Sequence, residues 1–235
     1  MVELSLSPTA QRSAVPLARP APTPTPIGPL VSSNPIGIRF LDIIGASMLL
    51  VFFLPLMVVV AIAVYLANPG PVLFSQKRVG RDGRHFACFK FRTMAVDAEA
   101  RLAQLLASDP TARQEWERDQ KLRNDPRIVG IGMFLRKSSL DELPQLWNVL
   151  RGDMSLVGPR PIVDNEVPRY GKYIADYCAI RPGLTGLWQI SGRNDVSYRR
   201  RVAFDVIYAR RGCLGAYLWI LFLTVPSVLV SRGSY

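Results

Sequence analysis

Two long apolar runs stand out in the hydrophobic pattern of this 235-residue chain. Residues 43–67 hold 25 positions without a charged side chain, and residues 212–230 form a second uncharged run. At about 1.5 Å per residue, a helix over the first run is long enough to cross a hydrocarbon layer of roughly 30 Å. The pattern predicts a membrane helix there. The second run, which Pro226 interrupts, could span the bilayer or lie in its interface.

The sequence pattern leaves the membrane topology of the first run open. Pro55 lies in its middle, where a proline removes a backbone hydrogen bond and bends a helix. Arg39 precedes the run and Lys77 and Arg78 follow it, so the positive-inside tendency gives no direction. A spanning helix and a helix that bends at Pro55 and returns to the same face both agree with these observations.

An alternating pattern follows the membrane run. The sequence VLFSQKRVG, a turn at residues 81–83 and the sequence HFACFKFRT predict a β-hairpin. Alternation places Cys88, Lys90 and Arg92 on one face of the second strand and Phe89 and Phe91 on the other. Lys90 and Arg92 would stand about 7 Å apart, a spacing that could bracket a phosphate. The alternative is a solvated strand face.

Two adjacent carboxylates occupy a predicted helix start. Ser139 and Glu142 form a capping-box pattern, which places Asp141 and Glu142 in the first turn of a helix. Acidic side chains at that position interact favourably with the helix dipole, and this interaction alone would explain them without a further role. Their neighbours argue for one, because Arg136 lies just before them and Arg160 lies in a loop whose backbone two prolines restrict.

A glycine-punctuated loop, RPGLTGLWQISGRND, covers residues 181–195. Its Trp188 and Arg193 could stack on and hydrogen-bond to a nucleotide, or the loop could be a structural turn. The arginines at residues 199–201 fall in a helical segment, where three successive side chains spread over about 200° and cannot all face one groove. A helix lying at a lipid surface can use such side chains by snorkelling.

The charge is concentrated beside the apolar runs. The chain has 29 Lys and Arg against 18 Asp and Glu, a net charge of +11, although 49% of its residues are hydrophobic. Residues 77–101 carry +4 and residues 171–235 carry +6, whereas residues 102–170 balance. Basic residues beside an apolar run favour an anionic bilayer by about 1 kcal/mol each. We therefore expect an anionic lipid bilayer as a partner and no nucleic acid, which would need a basic central face.

The N-terminal segment and the cysteines exclude other classes of protein. Residues 1–35 contain 8 of the 19 prolines, among Ala, Thr and Ser, and are predicted to be a disordered tail without the apolar core of a secretory signal. Cys88, Cys178 and Cys213 are widely spaced and His85 is the single histidine. This composition excludes a disulfide scaffold and a Cys/His zinc site, and it fits a reducing cytosol.

Four motifs in order resemble the bacterial sugar transferases, the monotopic phosphoglycosyl transferases that start exopolysaccharide and glycan assembly. The resemblance runs from residue 36 to the C-terminus, and it is strongest for short members that load galactose 1-phosphate onto undecaprenyl phosphate. The motifs are KFRTM (90–94), NDPRI (124–128), LRKSSLDELPQLWNVLRGDMSLVGPRP (135–161) and RPGLTGLWQISGRND (181–195).

The resemblance implies a mechanism with a covalent intermediate. Asp141 attacks the β-phosphorus of a UDP-sugar and releases UMP, and undecaprenyl phosphate then takes the hexose 1-phosphate from Asp141. Mg²⁺ binds near Asp141, and Glu142, the second catalytic carboxylate, assists as a metal ligand or as an acid/base partner. Galactose is favoured as the sugar and glucose stays open. The resemblance also implies a helix that re-enters the membrane with Pro55 as its hinge, at the cytoplasmic face of the bacterial inner membrane.

Elementary chemistry agrees with this assignment. A carboxylate nucleophile must be ionised, and a helix N-terminus beside Arg136 and Lys137 is expected to favour that form. Phosphates repel a carboxylate unless cations intervene, and the cations available are Mg²⁺ with four side chains. Those side chains are Lys90, Arg92, Arg136 and Arg160.

The chain departs from the family pattern at two places. Leu54 precedes Pro55 where members often have Ser, and the sequence RRGCLGAYL (210–218) replaces a Ser and an Asp before the last apolar stretch. Two alternatives to a transferase are a membrane-anchored scaffold of a polysaccharide assembly complex and a membrane-tethered nucleic-acid binder. Intact candidate site residues argue against the first alternative, and the balanced charge of residues 102–170 argues against the second.

The fold class that follows is α+β, dominated by helices. We predict a disordered tail over residues 1–35, a re-entrant membrane helix in residues 36–71, and a catalytic domain over residues 72–235. The domain would contain the β-hairpin, helical segments in residues 95–121 with a break at Asp109-Pro110, and amphipathic helices in the membrane interface near the C-terminus. The large apolar surface also predicts a homodimer.

Overall fold

The computed structural model describes residues 35–119, 122, 125–192 and 196–229. The tail predicted for residues 1–35 lies outside the described residues except for Pro35, where the first helix begins. Arg193 also lies outside them.

Helices make up most of the described chain, as the sequence predicts. The break predicted at Asp109-Pro110 is confirmed, because one helix ends at Ser108 and the next begins at Pro110. In chain order the helices are α1 (Pro35–Ala67), α2 (Ala98–Ser108), α3 (Pro110–Asp119), α4 (Gly132–Ser138), α5 (Gln145–Arg151), α6 (Val167–Tyr170), α7 (Ile174–Cys178), α8 (Leu187–Ile190), α9 (Tyr198–Arg211) and α10 (Leu214–Leu229).

The predicted β-hairpin is present. Strands β1 (Leu73–Val79) and β2 (His85–Phe91) pair antiparallel, with Arg78 opposite Phe86 and Phe74 opposite Lys90. A short 3₁₀ turn, Arg81–Gly83, joins them, and Asp82 takes a left-handed φ of 58° within it. Because residues directly opposite each other point to the same face, Arg78 and Lys90 lie on one face of the hairpin.

A second, shorter sheet organises the rest of the domain. Strands β3 (Ser155–Val157) and β4 (Gly183–Thr185) pair in parallel, and α6 and α7 lie in the crossover between them. The largest core cluster surrounds β3. Its buried members come from α1, β2, α5, β3 and α10, and include Ala46, Leu146, Val149, Leu156 and Tyr217.

Helix α1 is continuous from Pro35 to Ala67, with Pro55 inside it. It is the one helix in the described chain that is long and apolar enough to cross a membrane, and most of its apolar side chains are exposed. Both of its halves nevertheless contact the domain. In the first half, Asp42 accepts a hydrogen bond from the backbone N of Leu156. In the second half, Val60 and Val64 pack with Phe91 and Leu135.

Helix α10 has one buried face and one exposed apolar face. Tyr217 and Ile220 are buried in the domain, whereas Leu218, Trp219 and Phe222 are exposed. This arrangement fits the interfacial alternative of the sequence better than the spanning one.

Candidate active site

Asp141 and Glu142 lie in a 3₁₀ turn, Leu140–Glu142, between α4 and α5. The predicted capping box is wrong. Ser139 has a left-handed φ of 59° that ends α4, its side chain caps neither helix nor turn, and the Glu142 carboxylate binds a lysine instead. The pair still precedes a helix closely, because α5 begins at Gln145.

Lys90 joins the two carboxylates from the neighbouring strand. Its Nζ donates to Glu142 Oε1 at 2.6 Å and lies 3.6 Å from Asp141 Oδ2. Alternation along β2 produces this contact, since Lys90 points to the opposite face from Phe91, which packs against α1. The hairpin thus places a cation beside two carboxylates that lie at least 51 residues later in the sequence.

The two carboxylates have opposite pKa shifts. Burial raises the pKa of Asp141, and the charge of Glu142 raises it further, against the effects of Lys90 and Arg136. Burial would raise the pKa of Glu142 too, but Lys90 and Arg160 hold it below its usual value. We expected the cations near Asp141 to favour its ionised form; the cost of burying the charge outweighs them.

Arg136, which belongs to α4, lies near Asp141 and Glu142. Its Nε donates to Thr93 Oγ1 at 2.9 Å, and its charge interacts with Asp141. Burial lowers the pKa of this guanidinium below its usual value, and Asp141 acts in the opposite sense. An arginine pKa that starts above 12 leaves the side chain a cation at neutral pH.

The loop that carries Arg160 is held at both ends. On one side, Gly158 N donates to Thr185 O at 2.8 Å and Gly183 N to Pro159 O at 2.7 Å. A Cβ atom on Gly183 would lie 2.0 Å from Gly158 N, so only glycine allows this approach. At the other end, Arg78 Nη1 donates to Pro161 O at 3.0 Å. The held loop aims the Arg160 side chain, as its two prolines suggested.

Arg78, Lys90, Arg160 and Glu142 line one open cleft. Cys88 also lines it, and burial raises its pKa to about 11, so it is a neutral thiol at pH 7. Other lining residues include Gln145, Leu184 and Gln189.

Arg78, Gln145 and Gln189 are site residues that the sequence reasoning missed. The signal for Arg78 was available. A hairpin with its turn at residues 81–83 pairs Arg78 with Phe86, which places Arg78 on the same face as Lys90. No local pattern marks Gln145 or Gln189, because their place in the cleft depends on how α5 and α8 pack.

The structure does not bring Arg92 to the cleft. Strand β2 ends at Phe91, and the Arg92 guanidinium donates to the carbonyl of Asn68 just beyond α1. The C-terminal end of a helix attracts cations, which explains this position. Arg92 lines a different, smaller cavity with Val64 and Ile131. The predicted pairing of Lys90 with Arg92 around one phosphate is therefore not formed.

Trp188 is buried in α8, with 5% of its surface exposed. The guanidinium of Arg201 lies 4.8 Å from the centre of its ring. A ring in this position cannot stack on a nucleotide without moving Arg201, so the structure favours the structural alternative for Trp188.

The carboxylates could hold Mg²⁺ only together with a ligand. No group of three or more His, Cys, Asp or Glu side chains that could hold a metal occurs within the described residues. Asp141 and Glu142 supply two adjacent carboxylates, and Mg²⁺ commonly binds one or two carboxylates plus substrate phosphates and water. The donor set thus fits a magnesium ion that arrives with a phosphate substrate.

Comparison with known proteins gives a consistent picture. A model of the family described as bacterial sugar transferase matches residues 34–231. The chain is 50% identical over 197 residues to the UDP-galactose-lipid carrier transferase of Erwinia amylovora and 51% identical to the undecaprenyl-phosphate galactose phosphotransferase of Salmonella typhimurium. In each case the match covers 84% of this chain but only 41% of the relative.

A shorter relative matches along most of its length. The exopolysaccharide production protein ExoY of Rhizobium meliloti is 48% identical over 197 residues, which cover 84% of this chain and 87% of the relative. The UDP-glucose:undecaprenyl-phosphate glucose-1-phosphate transferase of Caulobacter vibrioides is 40% identical over 205 residues.

Proposed function

The chain belongs to the bacterial sugar transferase family, and we propose that it transfers a hexose 1-phosphate from a UDP-sugar to undecaprenyl phosphate and so initiates an exopolysaccharide. One observation carries this proposal: two adjacent carboxylates of opposite pKa shift lie beside a cleft lined by Arg78, Lys90 and Arg160. A cleft with three cations suits a diphosphate. Asp141 does not line this cleft, but it adjoins the lining residue Glu142 and lies 3.6 Å from the lining residue Lys90, and a carboxylate there suits attack on phosphorus.

The proposed reaction has two displacements at one phosphorus atom. In the first, an oxygen of the Asp141 carboxylate bonds to the β-phosphorus of the UDP-sugar, and the bond from that phosphorus to the bridging oxygen breaks. UMP leaves with the bonding electrons. In the second, a phosphate oxygen of undecaprenyl phosphate bonds to the same phosphorus and the bond to Asp141 breaks. The carboxylate returns to its starting state.

The cations have separate tasks in this scheme. Lys90 holds Glu142 as an anion and reaches toward Asp141, while Arg78 and Arg160 offset the charge of the donor's phosphates. The charge of Arg136 also favours the anion of Asp141. Asp141 and Glu142 would hold Mg²⁺, which neutralises phosphate charge and orients the donor. Phosphate binding by Arg92 is not part of this proposal, because the structure places it elsewhere.

The names of the relatives favour galactose as the sugar. Two relatives at 50% and 51% identity are named for galactose, and one at 40% identity is named for glucose. The test measures UMP release by the protein in detergent with undecaprenyl phosphate, Mg²⁺ and either UDP-galactose or UDP-glucose. We expect faster release with UDP-galactose and loss of release with EDTA. No UMP from either donor would contradict the proposed function.

We also propose that α1 re-enters the membrane and returns to the cytoplasmic face of the bacterial inner membrane, with Pro55 as hinge. Two observations support this: both halves of α1 contact the same domain, and α10 exposes a second apolar face. Basic segments on either side of α1 would then meet anionic lipid together. A homodimer in the membrane stays a prediction.

Cysteine labelling tests this topology. Cysteines replacing Pro20 or Gln120 one at a time, in a variant without Cys178 and Cys213, are treated in sealed inverted membrane vesicles with a thiol reagent that cannot cross the bilayer. A re-entrant helix predicts that both label from the cytoplasmic side. If position 120 is labelled in sealed vesicles but position 20 is labelled only after the vesicles are opened, then α1 spans the membrane.

A further inference from the structure

The side chain of Asn148, in α5, is fully buried and bonded to the backbone of β2. Its Oδ1 accepts a hydrogen bond from Phe89 N at 3.0 Å, and its Nδ2 donates to Ala87 O at 2.7 Å. The same Nδ2 donates to Asp153 Oδ2 at 3.1 Å. A carboxylate and a carbonyl accept and do not donate, so these contacts define which end of the amide carries the nitrogen.

The bonds from Asn148 lie at the outer edge of the hairpin. Arg92 N donates to Val72 O across the hairpin at 2.8 Å, and inward and outward backbone groups alternate along an antiparallel strand. The backbone groups of Phe89 and Ala87 therefore point away from β1. The hairpin is a two-stranded sheet, and the Asn148 amide pairs with these outward groups as a third strand would.

Asn148 thereby joins the two elements that carry the charges of the candidate site. Strand β2 carries Lys90, the residue after Phe89, and α5 begins at Gln145, shortly after the turn that carries Asp141 and Glu142. Side chains of β2 and α5 also share one apolar core cluster. Apolar contacts are non-directional and let one element slide along the other, whereas hydrogen bonds to two backbone groups define its place.

We infer that Asn148 is a positioning residue for the proposed reaction, because it fixes β2 along α5 and so sets the place of the Lys90 ammonium beside Asp141 and Glu142. This inference rests on the proposed function and adds to it a residue that acts through Lys90. The contacts to be kept are those of Lys90 Nζ, at 2.6 Å from Glu142 Oε1 and 3.6 Å from Asp141 Oδ2.

A displaced Lys90 would slow the first displacement of the proposed reaction. A cation stabilises a transition state when it is already in place, and a misplacement of about 1 Å can cost roughly 100-fold in rate. A purely structural contribution of Asn148 has a different signature. It would lower the amount of folded enzyme and leave the rate constant of the folded molecules unchanged.

The experiment measures the first displacement without the lipid acceptor. The full chain in detergent with Mg²⁺ is mixed with UDP-galactose radiolabelled in the sugar, and the label attached to the protein is followed over time. The final amount of label counts the folded, active molecules, and the rate constant reports the chemical step in each of them. For Asn148→Ala, which removes both bonds to β2, we expect the rate constant to fall about 10- to 100-fold.

A control variant lowers stability at a distance from Lys90. Asp176 is buried in α7, and its carboxylate accepts two hydrogen bonds from Arg210, each at 2.8 Å. Asp176→Asn breaks this charge pair and is expected to lower the thermal midpoint and the final amount of label. Its rate constant is expected to match that of the wild type.

A second pair of variants changes the other partner of the bond. Phe89→Pro removes the N–H that donates to Asn148, whereas Phe89→Ala removes the ring and keeps the N–H. This N–H points away from β1, so a proline there breaks no hydrogen bond of the hairpin. We expect the rate constant to fall for Phe89→Pro relative to Phe89→Ala. If Asn148→Ala does not fold, this pair decides the question.

Two results would overturn the inference. One is a lower final amount of label for Asn148→Ala with the wild-type rate constant, which would show a structural role. The other is an equal rate constant for Phe89→Pro and Phe89→Ala. Failure of the proposed function gives a different result, because the wild type would then neither become labelled nor release UMP from either donor.

Discussion

Replacing Asp141 by Asn is expected to reduce UMP release by a factor of at least about 10³, because an amide cannot act as the anionic nucleophile. The substitution keeps the size of the side chain and the 3₁₀ turn that carries it. The measurement is turnover with UDP-galactose and undecaprenyl phosphate. A second measurement, without the lipid acceptor, asks whether radiolabelled sugar becomes attached to the protein. We expect a labelled protein for the wild type and none for Asp141→Asn.

The fold of the variant is expected to be at least as stable as that of the wild type. Burial raises the pKa of Asp141 in the folded protein. A carboxyl whose folded pKa lies above its unfolded pKa binds its proton more tightly in the folded state, so stability falls as the pH rises through that interval. At a pH above its folded pKa, the ionised Asp141 therefore lowers the free energy of unfolding. Its removal should leave the thermal midpoint unchanged or raise it.

A matched control uses the same chemical change at an exposed site. Asp164 pairs with His85 at 2.6 Å on the surface, and its side chain is 61% exposed. Asp164→Asn is expected to keep full turnover, since surface pairs contribute little. Full turnover by Asp141→Asn would rule out a covalent intermediate on this residue. A lower thermal midpoint for Asp141→Asn would contradict the account of its pKa.

The features of the fold that the sequence predicts correctly are those that local patterns encode. The hairpin follows from alternation around a three-residue turn, and the helix break follows from a proline after Asp109. The apolar part of α1 follows from the uncharged run over residues 43–67. Each of these depends on residues that are neighbours in the chain, so no knowledge of tertiary packing is needed.

The errors lie where one group has two competing partners. Glu142 could have capped the backbone at Ser139, but a lysine from β2 forms an ion pair with it instead. Arg92 could have shared a phosphate with Lys90, but the end of α1 offers it a carbonyl. Gln189 reaches the cleft because α8 packs against the loop that carries Arg160. In each case the position of the side chain depends on a segment that is distant in the sequence, and the spacing of residues along the chain does not encode that contact.

Asp42 is the clearest example of such a distant contact, and its replacement by Ala is expected to destabilise the protein strongly. Its Oδ1 accepts hydrogen bonds from Ser155 Oγ at 2.9 Å, Leu156 N at 2.8 Å and Tyr217 Oη at 2.8 Å. Only 1% of Asp42 is exposed. Without it, three buried donors lose their acceptor, at about 1–3 kcal/mol each where none is replaced. We expect a loss of at least about 3 kcal/mol.

This loss should lower the thermal midpoint by about 6–12 °C, at roughly 2–4 °C per kcal/mol for a chain of this size. The measurement is thermal unfolding of the detergent-solubilised protein, followed by tryptophan fluorescence. Asp42→Asn is the matched control. Because all three donors meet the single Oδ1 atom, an asparagine oxygen with its two lone pairs can keep two of the three bonds, and we expect a smaller change.

The consequence reaches the candidate active site. Asp42 holds α1 on β3, and β3 leads directly into the loop that carries Arg160. In the same way, Arg39 donates to the carbonyls of Val149 and Leu150 at the end of α5, the helix that follows the carboxylate pair. The first turns of α1 therefore support both sides of the cleft. Asp42→Ala is therefore expected to lose turnover even at temperatures below its thermal midpoint, in addition to losing stability. If the Ala and Asn variants have equal midpoints and equal turnover, the Asp42 contact supports neither stability nor activity.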